Sequence, residues 1–344
     1  MEQQNAVLEH GLCRELILQE PLLREAPGGG FSDLAQVCAL TAGGSDRIFC
    51  RIKEGNRSLV FLFDQNPEEF SAYIQIGQFL RENNLPVPRI YSYDYDSRRA
   101  LLEDLGDETL FQKGAISQGA CIRQGFYQKT IDTLITLQGI SSEQIAGCTP
   151  IHKRVFDYGQ LRWETAYFTR YFLGEYCHIP IEEGELEEGF HQLAASFADE
   201  PLFLMHRDFQ SQNIMWKSDS PHLIDFQGAR RGVAAYDLAS LLNDCYLILD
   251  DSLREILISY YLDQRQRRLG IQQERKEFRD LYLRAALQRN MQALGAFSFL
   301  SLVKKKRQFE QFIPLGVHYL KSNLPHYSPL RVLERKIMIH TGNY

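Results

Sequence analysis

The chain has 344 residues, 44% of them hydrophobic and 24% charged, with a formal net charge of −6. That balance suits a globular protein of one large or two modest domains and gives no indication of disorder, and its acidic sign lends no support to nucleic acid as a partner. Seven cysteines are scattered and never spaced as C-x-x-C, which argues for free thiols in a reducing compartment and against a zinc site.

The opening stretch "MEQQNAVLEHGLCRELILQE" carries acids where a secretory leader needs a basic flank and an apolar core, and no apolar run reaches membrane-spanning length. A cytoplasmic protein without a membrane partner is the expectation. Residues 6–24 predict a helix and "APGGGFSDL" a loop. "VCALTAGGSDRIFCRIKEGNRSLVFLFD" then reads as three strands joined by turns, the middle one alternating between Ile48, Cys50 and Ile52 on one face and Arg47, Phe49, Arg51 and Lys53 on the other. "NPEEFSAYIQIGQFLRENN" has helical spacing, and "LPVPRIYSYDYDSRRALLEDLG" reads as two further strands around a turn.

From Asp107 onward the pattern becomes helical, over residues 118–137, 157–173, 186–197 and 278–302. The strand-like pieces there are "NIMW" and "HLIDF", separated by the turn "KSDSP". An α+β chain is expected, with a small antiparallel β-rich lobe over 1–106 and a larger helical lobe over 107–344, joined through "LEDLGD". The short basic run "KKKR" reads as a solvated helix end. No repeat or low-complexity segment occurs, and the sequence does not specify an oligomeric state.

The polar cluster in "LFLMHRDFQSQNIMW" sits against an apolar run, and "HLIDFQ" follows a few residues later. If "NIMW" and "HLIDF" pair as a hairpin, Asn213 and Asp225 converge, with Asp208 just upstream in a loop. Two carboxylates and an amide oxygen make a hard-oxygen site suited to magnesium, which keeps waters and phosphate oxygens as its other ligands and so points to a nucleotide. "HRDFQSQN" also fits H-R-D-x-x-x-x-N, and "DFQ" stands where kinases carry D-F-G. In that arrangement Asp208 accepts or orients the acceptor's hydroxyl proton, Asn213 and Asp225 hold metal, and His206 buttresses the loop. The plainer alternative makes His206 a core residue and Asp208 and Asn213 turn caps.

On these residues the chain resembles the aminoglycoside phosphotransferase and choline kinase-like group, small-molecule kinases with the protein-kinase fold. The likeness runs from "TAGGSDRIF" to the helical C-terminus. Within the group it looks most like the kinases that phosphorylate the anomeric C1 hydroxyl of N-acetylmuramate and N-acetylglucosamine, through "LLEDLGDETL", "MHRDFQSQNIMW", "LIDFQGARRGVAAYDLASLLNDCY" and "LQRNMQALGAF". The resemblance implies a bilobal kinase fold, ATP as phosphoryl donor, magnesium and a small-molecule sugar as partner. It implies Asp208 as catalytic base, Asn213 and Asp225 as metal ligands, and Asp237 as a brace of the catalytic loop. It also implies an adenine-binding hinge over residues 103–106, comprising Glu103, Asp104, Leu105 and Gly106.

Two departures matter. The third strand, "SLVFLFD", lacks the lysine that pairs with nucleotide phosphates, so Arg47, Arg51 and Lys53 become candidate substitutes, with an exposed basic strand face as the alternative. Gln227 replaces the glycine of D-F-G, which suggests a metal-binding loop that does not swing. Trp163, Glu164 and Asp244 are candidates for reading a sugar ring and its hydroxyls. A kinase for an amine-bearing acceptor and a catalytically inactive nucleotide-binding protein are the competing functions.

Overall fold

The computed structural model describes residues 17–40, 47–116 and 120–342. The expected N-terminal helix over 6–24 lies mostly outside them, as does the "TAGGSD" turn at 41–46. The chain divides into two compact units, one of residues up to Asp107 with Met215–Gln227, the other of Glu108–Ile214 with Gly228 onward. The segment 215–227 was expected with the helical lobe. It groups with the β-rich unit because the Leu223 N–H donates to the Pro86 carbonyl at 2.7 Å and Lys217 Nζ reaches Glu103 Oε1 at 2.7 Å.

The first unit is an antiparallel sheet of β1 (Gln36–Leu40), β2 (Ile48–Glu54), β3 (Arg57–Phe63), β4 (Ile90–Asp94) and β5 (Arg99–Glu103), in the order β1-β2-β3-β5-β4. The alternation of β2 is realised: Cys50 and Ile52 are buried, paired with Phe61 and Leu59 of β3. Helix α1 (Pro67–Glu82) follows β3. Its N-cap Asn66 accepts from the Glu68 and Glu69 N–H groups and Pro67 opens the first turn, so its start is written locally. Gly77 on α1 leaves room for two neighbours, since a Cβ there would stand 3.0 Å from Ile90 Cδ1 and 3.1 Å from the Phe226 ring.

The strands β7 (Ile214–Lys217) and β8 (Ser220–Leu223) pair as the expected hairpin. Ser218 and Asp219 join them with φ of 50° and 57°. Two successive left-handed residues give the turn whose twist matches an antiparallel ribbon.

The second unit is mainly helical: α2 (Ala120–Gln138), α3 (Tyr158–Phe168), α4 (Glu187–Ala195), α5 (Ala234–Leu242), α6 (Asp251–Leu269), α7 (Arg275–Leu302), α8 (Ile313–Asn323) and α9 (Arg331–His340) are its principal helices. The long α7 runs through its core, burying Phe278, Leu281, Leu287 and Leu294. A ribbon not expected from the sequence, β6 (Leu202–Met205) paired antiparallel with β9 (Arg230–Val233), sets Met205 opposite Arg230. Four-residue strands leave too short a run for alternation to show. No helix among the described residues is long and apolar enough to cross a membrane.

Candidate active site

The loop that leaves β6 at Met205 is strapped from below by two buried carboxylates. Asp237, on the first turn of α5 and fully buried, accepts the His206 N–H at 2.6 Å and the Arg207 N–H at 2.9 Å. Burial pushes its carboxyl up to about 7, against the pull of those two N–H groups. Asp244, just beyond α5, accepts the Ser211 N–H at 2.8 Å and the Tyr246 N–H at 3.1 Å. Between these straps Arg207 takes a left-handed φ of 78°, an uncommon state for a residue with a side chain, which persists where the surroundings over-determine it. Asn213 closes the loop by donating its Nδ2 to the Asp208 carbonyl at 2.9 Å.

The Asp208 carboxylate, about a quarter exposed at 26%, meets Arg289 Nη2 at 3.4 Å and Arg207 Nη1 at 3.9 Å. Burial alone would raise its pKa, but Arg207 and Arg289 outweigh that and hold it below the usual carboxylate range. Asp208 is therefore ionised at neutral pH and a weak proton acceptor. Arg207 leans on Glu164 as well, Nη2 to Oε1 at 3.6 Å, and the Tyr236 hydroxyl and Gln288 Nε2 donate to the same carboxylate at 3.0 and 3.1 Å. Arg289 is fixed through Ser240 Oγ at 3.0 Å and Gln210 Oε1 at 2.7 Å.

Arg207 and Arg289 were not among the candidates. The available signal was the polar triplet Gln288–Arg289–Asn290 in the middle of α7, buried where a helix core would otherwise be apolar.

In the first unit, Asp225 follows β8 with a φ of 61°, and Phe226 beside it is buried against Tyr73, ring centroids 4.8 Å apart. Gln227 Nε2 donates to Asp225 Oδ1 at 2.7 Å, so the glutamine that replaces the usual glycine ties down the aspartate. Arg47 is the one of the three basic candidates that reaches this place: its Nε lies 3.3 Å from Asp64 Oδ2 and its Nη1 3.6 Å from Asp225 Oδ1. Arg51 departs from the expectation. Its Nε and Nη1 pair with Asp104 and Asp107 at 2.7 and 2.6 Å, and its Nη2 donates to the Gly106 carbonyl at 2.9 Å, so it pins the segment after β5. Lys53 is exposed.

The segment 103–106 is also more occupied than expected of a hinge whose backbone receives adenine. Glu103 N–H donates to the Arg89 carbonyl at 2.8 Å, and the Asp104 carbonyl accepts Lys217 Nζ at 2.9 Å. Gly106 N–H is held by Asp104 Oδ1 at 2.9 Å, while Leu105 is buried. Among the candidates for reading a sugar, Glu164 and Asp244 are buried with their carboxylates given to protein donors, so neither presents a free oxygen to a substrate. Trp163 is half exposed at 50% and stacks on Tyr167, centroids 5.0 Å apart.

The donor set can be tested against a hard cation. Both protein partners of Asp225 engage Oδ1, which leaves Oδ2, and the amide of Asn213 has its N–H committed to Asp208, which leaves Oδ1. No group of three or more His, Cys, Asp or Glu gathers to hold a metal among the described residues. Each of these oxygens, lacking a protein cage of its own, suits a cation such as magnesium that retains waters and phosphate oxygens.

An ionised aspartate strapped in a loop ahead of a hairpin, with a second aspartate just beyond that hairpin, is an arrangement that phosphoryl transfer to a hydroxyl group can use. The chain belongs to the phosphotransferase enzyme family, whose model matches residues 36–271. It is 25% identical over 311 residues to the N-acetylmuramate/N-acetylglucosamine kinase of Pseudomonas aeruginosa, covering 88% of each chain. It is also 25% identical over 291 residues to the kinase of the same name from Neisseria meningitidis, covering 83% of this chain and 85% of that one. Among solved structures it is similar to choline kinase from Cryptosporidium parvum, with a TM-score of 0.60, 15% identity and coverage of 90% of this chain and 94% of that one. A putative aminoglycoside phosphotransferase from Ralstonia eutropha gives a TM-score of 0.60 at 11% identity, covering 91% and 94%. The fold is thus the protein-kinase-like one of small-molecule kinases.

Proposed function

We propose that this chain transfers the γ-phosphoryl group of ATP to the anomeric C1 hydroxyl of a free N-acetylated amino sugar, N-acetylmuramate or N-acetylglucosamine, giving a sugar 1-phosphate in cell-wall recycling. The observation that carries the reading is the likeness to kinases of those sugars over 88% of the chain. The strapped Asp208 loop supports it. Asp208 orients the C1 hydroxyl and accepts its proton as the bond to phosphorus forms. A carboxylate held below its usual pKa is a poor base for an ordinary alcohol, and an anomeric hydroxyl, being more acidic, asks less of it.

Asn213 and Asp225 are the proposed magnesium ligands, and the metal would neutralise the nucleotide's phosphates there. Arg47 is the proposed cation in place of the missing third-strand lysine, because Asp64 and Asp225 hold it at the end of β3. Residues 103–106 remain the proposed adenine-binding segment, and the scattered cysteines support a cytoplasmic location. The test is a panel of free sugars with ATP and magnesium, read by which carbon carries the phosphate. We expect 1-phosphates of the two amino sugars and no turnover of their methyl glycosides, which lack only the anomeric hydroxyl. Equal turnover of a methyl glycoside, or preference for choline or an aminoglycoside, sinks the anomeric reading.

A further inference from the structure

The strand β9 opens with Arg230 and Arg231 in the stretch "QGARRG", and nothing so far gives Arg230 a role. Its register opposite Met205 sets it beside the residue from which the Asp208 loop departs. Arg230 Nε donates to the Gly228 carbonyl at 2.9 Å and Nη1 to Gln160 Oε1 at 3.0 Å. Both acceptors are neutral, and Arg230 forms no ion pair among the described residues. Gly228 in turn faces the loop, since a Cβ built there would lie 3.9 Å from both Asp208 Oδ2 and Arg207 Cδ.

The contrast with the neighbouring arginines is informative. Arg289 stands against Asp208 and Arg207 against Glu164, so each has a carboxylate in contact. Arg230 is half-buried, held in one orientation by two neutral oxygens, and lacks one. Burial first, and then the positive charge of Arg207, draw its guanidinium down to about 10, and the charges of Asp208 and Glu164, neither in contact with it, offset this only in part. Removing a charge from water without a counter-charge is unfavourable, and a pre-oriented planar guanidinium matches a carboxylate in a bidentate pair.

We propose that Arg230 determines specificity by receiving a carboxylate carried by the acceptor sugar, beside the hydroxyl that Asp208 addresses. The inference rests on the amino-sugar reading above and deepens it, because N-acetylmuramate carries a lactyl carboxylate and N-acetylglucosamine does not. The acid is then the better-bound acceptor, the neutral sugar a poorer one.

The experiment compares three acceptors, N-acetylmuramate, its methyl ester and N-acetylglucosamine, on the wild-type protein and on Arg230→Gln and Arg230→Lys. In the wild type the ester should show a KM about tenfold or more above that of the acid, the size of a charge-assisted contact. Arg230→Gln should raise KM for the acid about tenfold or more beyond its effect on N-acetylglucosamine, with kcat changed little, and Arg230→Lys should recover part of the loss. Equal KM values for acid and ester in the wild type overturn the inference, and this arm stands even if the glutamine variant does not fold. A fall in kcat shared by acid and neutral sugar overturns it too, and would assign Arg230 to the transferred phosphoryl group. Turnover of neither amino sugar overturns the functional reading and this inference with it. Turnover of both without acid preference overturns this inference alone.

Discussion

Removing the strap under the Asp208 loop should cost both stability and activity, and its size follows from two hydrogen bonds. Asp237 takes the His206 and Arg207 N–H groups at 2.6 and 2.9 Å in a site where the aspartate is 0% and His206 1% exposed. Asp237→Ala leaves one buried and one part-buried donor without this acceptor, and each orphaned donor costs about 1–3 kcal/mol, so the variant should lose about 2–6 kcal/mol, the part-buried donor contributing less. Asp237→Asn keeps one acceptor and turns an amide N–H toward the other donor, for roughly half that loss. The pH dependence carries a definite sign. The carboxyl is pushed up to about 7 in the folded chain against an ordinary aspartate value of 3.8, so between those values the folded state binds the extra proton. This group's contribution to stability is therefore fully present below the unfolded pKa and declines as pH rises through the folded one. Denaturant titrations of wild type and Asp237→Asn from pH 4 to 8 isolate it. The stability gap between them should be widest near pH 4 and narrow toward pH 8. A gap that does not change with pH, or an alanine variant that loses less than about 1 kcal/mol, would refute the reasoning.

Asp208→Asn should lower turnover by about a hundredfold or more while nucleotide affinity stays near wild type, as measured by steady-state assay and ADP titration. Asp225→Ala should instead weaken nucleotide binding at fixed magnesium, and unchanged affinity counts against its role as a ligand. Arg47→Ala should reduce kcat roughly a hundredfold, because phosphate charge must be met in a water-poor site, and near-normal kcat would place that charge elsewhere. Arg51→Ala should appear mainly as about 1–3 kcal/mol lost in thermal or denaturant unfolding, since its nitrogens hold Asp104, Gly106 and Asp107.

The chain's own order of residues determined a good deal. Alternation at Ile48, Cys50 and Ile52 marked a strand with one buried face, and the helical spacing of "NPEEFSAYIQIGQFLRENN" marked α1; both are signals a short window contains. The "HRDFQSQN" and "DFQ" spacing likewise brought Asp208, Asn213 and Asp225 into view together, because a loop and the hairpin after it are close in sequence.

What a window cannot contain is which distant group satisfies a charge. Arg47 and Arg51 share a strand face by alternation. Only the folded sheet shows the first turned to Asp64 and Asp225 and the second to Asp104 and Asp107. Glu164 and Asp244 had the look of substrate-reading carboxylates; burial and partners far along the chain, Arg207 and Gln288 for one and Ser211 for the other, make them supports of the loop. Arg289 lies 81 positions beyond Asp208 by its number, and the polar triplet it belongs to on α7 does not say which carboxylate it meets. The hydrophobic pattern determines where elements run, since burial of apolar surface is non-directional and periodic. Which charges meet depends on short-range contacts that exist only once those elements have packed.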